Sequence, residues 1–493
     1  MFINIKQQNI LNQEMSLKLV KLADQEKVSL YLVGGTVRDI VLGRQLADID
    51  LAVDGEGLDF ARKFANSVKG NFVPWDKERD TARIFIRNNK CVSYLDIAGI
   101  RGGSLEADLS TRDFTINAMA VDFSKALLED QVNIIDLFGG IKDMQDKIIR
   151  PVTPDAIKDD PIRMIRCYRF AAVLGFSIHP LAFNSIAESL DHIFNISAER
   201  IRDEFFKFLD ADISSIWFNQ MDDMGLLERI FTHIIQMKGM EQNDYHHLDV
   251  WEHSLLSLEE FEHEPIPEIL QEYSQDIDRY LKNQLVRGRT RKQLLKLAIL
   301  FHDVGKPDAR FVDENGRISF FNHNKDGALI MEQIGKDMRL ANREVSFLSK
   351  LVKEHMYPLE LSVFLRKPRS YRSKQKIIRK FIQKTGSACL GILLLSYADL
   401  RATRGPRRRE SALVQLEKLI CEIAKVYFNI TKYQQPRLIN GNDIINEFDI
   451  HQSPEIGEIL QDVRDAQING LVNSREDALR MVREIISENK NQI

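Results

Sequence analysis

The chain has 493 residues, a formal net charge of −4, and 28% charged against 44% hydrophobic side chains. It is too long for one hydrophobic core and too balanced for a disordered or fibrous protein, so three or four soluble globular domains are expected. No apolar run approaches the roughly 18 residues a membrane helix needs, the first residues show no signal-peptide pattern, and four scattered cysteines without a CxxC pair fit reduced thiols, so the expectation is a cytoplasmic protein with no membrane partner.

Residues 1–30 read as an amphipathic helix with Ile10, Leu11, Leu17, Leu19, Val20 and Leu22 on its apolar side. Tyr31-Leu32-Val33 is a short buried strand. Gly34-Gly35 stops it and lets the backbone approach a bulky group. Thr36 to Leu42 has helical spacing, and Gly43 suits its end. Asp48-Ile49-Asp50-Leu51-Ala52-Val53 alternates acid and apolar before running apolar. In a strand Asp48 and Asp50 share a face, and two such carboxylates repel unless a cation lies between them. Magnesium, an oxygen-seeking divalent ion, is the usual solution. Backbone N–H groups at the start of the helix after Gly34-Gly35 suit an anion. A phosphate cradle beside a metal-binding carboxylate pair is the layout of phosphoryl transfer. A helix over Leu58–Val68, broken by Gly70, and strands over Asn71–Pro74, Ala82–Ile86 and Val92–Ala98 follow. Asp96 on the last strand is the candidate third carboxylate. The mixture of short strands and helices makes residues 1–140 a small α/β catalytic head.

The order GG-x-VRD and then D-x-D resembles the first motif of the class II tRNA nucleotidyltransferase and bacterial poly(A) polymerase family. The resemblance implies that Asp48 and Asp50 hold Mg2+, with Asp96 beside them, and that Gly34, Gly35 and Arg38 face the triphosphate. Thr111-Arg112-Asp113-Phe114-Thr115-Ile116-Asn117-Ala118 is similar to the family's second motif, with Thr111 where an arginine usually stands. Arg112 is thereby placed on triphosphate or ribose, and Asp113 in the nucleotide site. Asp136-Leu137-Phe138-Gly139-Gly140 resembles the hinge that leads into a helical neck, residues 141–240. Within the neck, Pro161 suits the first turn of a helix capped by the acids before it, and Arg163, Arg166 and Arg169 recur on one face. This segment resembles the family's base-reading helix, with Asp159 in place of the usual glutamate and Asp160 and Arg163 kept; Arg166 falls on the same nucleotide-facing side. A carboxylate accepts from an exocyclic amino group and a guanidinium donates to a ring nitrogen or carbonyl. Such a pair selects C and A over U and G with no nucleic-acid template. Glu199 to Leu209 resembles a further neck motif that supports the site.

Residues 246–410 read as a different unit. Leu295 to Pro307 is a buried helix ending in His302-Asp303, with His253 before it and His323, His355 and Asp399 after it. Histidines and aspartates spread in this way over several helices form a metal-ligand constellation. The pattern resembles the HD phosphohydrolase superfamily, whose ligands carry onto His253, His302, Asp303 and Asp399. His323 and His355 match the extra histidines of versions that hold a second metal or contact phosphate. The resemblance implies a divalent metal (Mg2+, Mn2+ or Ni2+) and phosphoester hydrolysis by activated water.

Residues 430–493 are helical and resemble the C-terminal segment of the nucleotidyltransferases at Gly441, Asp443, Pro454, Gly457 and Ala466-Gln467, a tail expected to bind RNA. Asn473-Ser474 begins a helix there, with Asp477 three residues after the Ser474 cap. Two runs dense in Lys and Arg, 366–380 and 401–409, are either RNA contacts or solvated faces. The expected fold class is thus an α/β nucleotidyltransferase head, a small mixed β-sheet with helices, followed by all-α neck, HD and tail domains. The resemblance implies tRNA, CTP and ATP as partners and template-independent addition of C, A or both to the tRNA 3′ end. The alternatives are a poly(A) polymerase, or an HD phosphohydrolase whose head only holds RNA. Seven residues, IAGIRGG, separate Asp96 from Ser104. Members that add CCA usually carry a longer flexible segment there, and members that add only CC resemble the short form, so efficient C addition with weak or absent terminal A addition is expected.

Overall fold

The computed structural model describes residues 1–3, 13–46, 48–88, 91–129, 131–366, 370–432, 438–448, 454–468, 472 and 474–490. Ile10, Leu11 and Asn473 of the sequence reading, and residues 367–369 of the first basic run, lie outside them. The chain divides into two compact units, residues 1–236 with 334–340 and residues 237–333 with 341–493.

The first unit holds a seven-stranded mixed sheet. Its strands are β1 (Leu30–Val33), β2 (Ile49–Val53), β3 (Asn71–Asp76), β4 (Thr81–Asn88), β5 (Cys91–Gly99), β6 (Met119–Asp122) and β7 (Ile135–Asp136), in the order β3-β4-β5-β2-β1-β6-β7. Only β2 and β5 pair in parallel; the crossover between them runs through the helix Gly57–Val68 and the β3–β4 hairpin. The alternation seen in the sequence is realised. Ile49 and Leu51 are buried in the core, while Asp48 and Asp50 face the other way. The N-terminal stretch is helical only over α1 (Gln13–Glu26). Its inward stripe is Ser16, Leu19 and Ala23, and Leu17 is exposed. The expected apolar side therefore needs correction, because i, i+3, i+7 spacing, and not the count of leucines, sets the buried face.

The neck is helical apart from one small correction: Ile148–Ile149 pairs in parallel with Ser177–Ile178. Its two helices near the head are α2 (Arg163–Leu174) and α3 (Ala198–Leu209). Pro161 sits in the turn before α2, whose cap residue is Ile162, and no side chain caps that end. The acids Asp159 and Asp160 are thus not its caps, contrary to the expectation.

The second unit is mainly helical, with two small hairpins, Gln284–Val286 with Arg289–Thr290 and Arg310–Val312 with Ile318–Phe320. Its central helix α4 (Cys389–Ala402) is buried along nearly its whole length, as its sequence CLGILLLSYADLRA requires. The tail has an apolar cluster of its own, including Ile444, Ile459, Val463 and Val482, and Ser474 caps its last helix by accepting from the Asp477 amide at 3.1 Å. Among the described residues no helix is long and apolar enough to cross a membrane.

Candidate active site and metal cluster

Parallel pairing of β2 and β5 sets Asp50 directly beside Asp96, with Asp48 two residues before Asp50 on the same face. The three carboxylates picked from sequence therefore converge. Arg83, opposite Asp96 on β4, donates Nε and Nη2 to both Asp96 oxygens at 2.7 Å and lies 3.7 Å from Asp48. Burial, and then the Asp96 and Asp48 charges, push the Asp50 carboxyl up to about 6 against the pull of Arg112 and Arg38. Three acids sharing one guanidinium leave an excess of negative charge that a hard divalent cation fits.

The glycine turn is built for close approach. Gly34 has φ +66°, and a Cβ there would stand 2.8 Å from Arg112 Nη1. Thr36, on the helix that follows, accepts the Asp50 amide through Oγ1 at 2.8 Å, tying the turn to the carboxylate strand. Gly34, Gly35, Arg38, Asp48, Asp50, Asp96, Arg112, Asp113, Arg163 and Arg166 all line one cavity of about 600 Å3. Asp160 is buried beneath Arg200, which donates to both its oxygens at 2.8 and 2.9 Å. Arg163 donates to the carbonyls of Thr111 at 2.7 Å and Ala156 at 2.9 Å. The expected base-reading pair thus takes other partners here, and reading a base requires both to exchange them.

Several site residues were not singled out from sequence. Arg83 is one. Asp108 is another, accepting from Arg112 Nη2 at 2.9 Å and fixing that guanidinium. Behind the cavity a relay runs through charged side chains. Arg38 donates to Asn117 at 2.8 Å, and Asn117 donates to Asp113 at 2.9 Å. Arg166 then bridges Asp113 at 3.2 Å and Glu204 at 3.1 Å. Asp113 is buried and also accepts the Phe114 amide. In this geometry it orients Arg166 and Asn117. Glu204 lies at the centre of three cations. Burial raises its pKa, but Arg169, Arg166 and Lys207 outweigh burial and hold it at about 2.

A depressed carboxyl stabilises the fold above its unfolded pKa and loses that contribution as pH falls through the folded value. The Glu204 shift, from 4.5 to about 2, corresponds to about 3 kcal/mol. We expect Glu204→Gln to lower the denaturant-measured stability of the first unit by about that much at pH 7. The gap to wild type should narrow to less than half by about pH 3. A gap that stays constant with pH would show that the Glu204 charge does not stabilise the unit.

In the second unit His302 and Asp303 lie just past the helix Arg291–Leu300, in a turn, and not on the helix as the sequence suggested. Within that turn Gly305 packs so tightly against the His323 carbonyl and Gly327 that any Cβ would collide. The turn swings Asp303 into a ring of histidines. Its carboxylate lies 3.2 Å from His302, 3.3 Å from His323, 3.8 Å from His355 and 3.9 Å from His253. Asp399 lies 2.9 Å from His253 and 3.7 Å from His302. All six predicted ligands are brought together. His302, His323 and His355 each engage a backbone carbonyl through Nδ1, at 2.6 to 2.8 Å. That fixes their Nε2 atoms toward the centre, the arrangement by which an outer contact orients a metal-binding imidazole. Those three Nε2 atoms are buried without a hydrogen-bond partner. Buried polar atoms rarely stay unsatisfied, so the donor set fits a divalent metal.

His246 joins the cluster, grouping with His253 and Asp399, and its Nδ1 meets Asn243 at 3.1 Å. The adjacent His246-His247 pair was the only sequence signal for it, and spacing could not say which of the two points inward. Burial pushes His246 down to about 2 and His355 to about 3. Against burial, Asp303 and Asp399 lift His302 to about 10. Lys306 stands 2.5 Å from Asp303 and completes the charge balance.

A mixed sheet with a glycine turn over clustered carboxylates, an arginine-lined cavity and a helical body defines a nucleotidyltransferase. Residues 30–150 match the Poly A polymerase head domain, 175–237 the probable RNA- and SrmB-binding site of polymerase A, and 267–386 the HD domain. The last span omits His253 and Asp399, which the fold nevertheless brings to the cluster. The chain is similar to the A-adding tRNA nucleotidyltransferase of Deinococcus radiodurans, 28% identical over 92% of this chain and 94% of that protein. It is also similar to the CC-adding tRNA nucleotidyltransferase of Thermus thermophilus, 27% identical over 90% and 91% of the two chains. Among solved structures, the fold resembles the Thermotoga maritima CCA-adding enzyme complexed with tRNA, with a TM-score of 0.60, 20% identity, and 98% and 99% of the two chains covered. Residues 30–150 thus carry a poly(A) polymerase-type head and residues 267–386 an HD domain, and over about nine-tenths of its length the chain is similar to tRNA nucleotidyltransferases.

Proposed function

We propose that this protein extends the 3′ end of tRNA with C, or with C and A, taking CTP and ATP and using no nucleic-acid template. The observation that carries the reading is the convergence of Asp48, Asp50 and Asp96 inside an arginine-lined cavity. The tRNA 3′-oxygen forms a bond to the α-phosphorus of the nucleotide, the bond from that phosphorus to the bridging oxygen breaks, and pyrophosphate leaves while the hydroxyl proton passes to solvent. Asp48, Asp50 and Asp96 would hold Mg2+, which lowers the hydroxyl pKa and offsets charge on the leaving oxygens. Arg38 and Arg112 bind the triphosphate, with Asp108 and Asn117 fixing their direction. Asp160 and Arg163 read the base once they leave Arg200 and the backbone carbonyls.

The segment after β5 supports the CC-adding form. Arg101–Gly103 is a single tight turn with Gly102 at φ +68° and Gly103 at φ +76°, and it leads straight into the Ser104-capped helix. A turn this short gives the pocket little slack to re-form for a differently shaped base. With CTP and ATP supplied together, a tRNA lacking CCA should be extended, and a generic RNA of equal length should not. Long A-tracts on both RNAs would replace this reading with a poly(A) polymerase.

The unsatisfied Nε2 atoms of the His/Asp cluster support a second reaction, metal-dependent hydrolysis of a phosphoester at an RNA end. Water oxygen bonds to phosphorus, the bond from phosphorus to the ribose oxygen breaks, and that oxygen leaves with a proton from the water. The cluster would hold one or more divalent ions that activate the water and offset phosphate charge. Lys306 neutralises Asp303, and His246, His253 and Asp399 complete the donor set.

A further inference from the structure

The arginine run at 401–409 has no task in either reaction so far. In the fold it is fastened to the loop that carries His246. The Gly405 amide donates to the Tyr245 carbonyl at 2.7 Å and the Arg407 amide to the Asp244 carbonyl at 3.0 Å. The two backbones touch so closely that a Cβ at Gly405 would collide with Tyr245. This clasp sets Arg407, Arg408 and Arg409 on the wall of a cavity of about 1090 Å3 that also takes in Asp303, His323 and Asp399 of the cluster. Arg366, from the other basic run, and Arg317 line the same cavity.

Charge at the wall is only partly spent. Asp244 is taken by Arg407 at 2.8 Å. Among the described residues, Arg317, Arg366 and Arg409 have no ion-pair partner. Other parts of the wall are apolar, with Met356, Leu359, Val363 and Leu400. Phe321, 71% exposed, stands in the lining at the end of the hairpin Arg310–Val312/Ile318–Phe320. Cations along a groove together with an exposed aromatic face are what single-stranded nucleic acid requires, because phosphates meet the cations and a base stacks on the ring. A buried cluster suited to a metal adds a place for a terminal phosphate. An acidic peptide would use the arginines but would leave Phe321 and the cluster without a role.

We infer that this cavity holds the end of a single-stranded RNA, with its terminal phosphate at the His/Asp cluster, a preceding phosphate on Arg366 and Arg409, and a base on Phe321. The inference rests on the hydrolytic reading of the cluster only for the fate of that phosphate; the RNA path is tested without any turnover. A hexanucleotide with a 3′-phosphate and 4-thiouridine at its penultimate position is photo-crosslinked to the full-length protein in EDTA, and the crosslinked peptides are identified by mass spectrometry. The expected product joins the peptide containing Phe321. Arg366→Ala/Arg409→Ala should reduce that product about tenfold, and the slope of log affinity against log salt should fall by about 0.7, the loss of one single-strand phosphate contact. Absence of a crosslink in residues 310–323, or the same yield and salt slope in the double variant, overturns the inference. A nucleoside 3′,5′-bisphosphate that displaces the hexamer at equal concentration overturns it in favour of a free nucleotide as ligand. Failure of hydrolysis with the crosslink intact would instead remove the second reaction and leave the RNA path standing.

Discussion

Asp50→Ala should abolish nucleotide incorporation, by at least about a thousandfold, while leaving tRNA binding and folding intact. Losing a group that offsets developing charge in a transition state costs on the order of a hundred- to a thousandfold; Asp50 stands at the meeting point of the three carboxylates that would hold Mg2+, the ion with that role. Folding should not suffer, for a reason that can be signed. The Asp50 carboxyl is pushed up to about 6 in the fold. A raised acid favours the folded state only while protonated, and that contribution is lost as pH rises through the folded value. At pH 8 the ionised Asp50 of the metal-free protein is therefore a cost, and its removal does not lower the melting temperature through this term. Loss of incorporation with an unchanged or higher melting temperature separates chemistry from structure. Incorporation close to wild type would refute the carboxylate assignment.

The second large effect belongs to the other unit. Asp303→Asn keeps the volume of the side chain but removes the charge that faces His302, His323, His355 and Lys306. Metal affinity should fall by about ten- to a hundredfold or more, since even outer contacts of a metal site are worth that much. Phosphoester hydrolysis supported by Mn2+, Ni2+ or Mg2+ should disappear with it. Metal content by elemental analysis gives a readout independent of turnover. Wild-type metal content and hydrolysis in Asp303→Asn would show that Asp303 is not a ligand of the metal that supports hydrolysis. No metal-dependent hydrolysis in the wild type would leave the HD unit as a structural or RNA-binding body.

Much of the head was legible because its signals are local. Alternation over residues 48–53 states which face the two aspartates share, and a double glycine after an apolar run states where the backbone must turn. Arg83 was missed for a different reason. Its strand was read but its register was not, and only register sets Arg83 opposite Asp96. Asp160 shows the same limit from the other side: the motif names the residue, but its present partner, Arg200, comes from a helix some forty residues further on. Glu204 looked like one more charge on an amphipathic helix. Its burial against Arg166 and Arg169 depends on how two neck helices pack, which no single stretch of sequence records. In the second unit the order of histidines and aspartates gave the cluster away, whereas the end of the helix at Leu300, which leaves His302 and Asp303 in a turn, did not show.

What the head adds to a tRNA end is the central question of function. A tRNA transcript lacking its 3′ CCA, incubated with CTP alone and with CTP plus ATP and sized to single-nucleotide resolution, tests this most directly. The predicted product is two nucleotides longer under both conditions, with a three-nucleotide product absent or much slower. A three-nucleotide product ending in A and formed as fast as the two-nucleotide one would contradict the role given to the short turn at Arg101–Gly103, and no extension at all would contradict the reading of the head as a tRNA-extending enzyme.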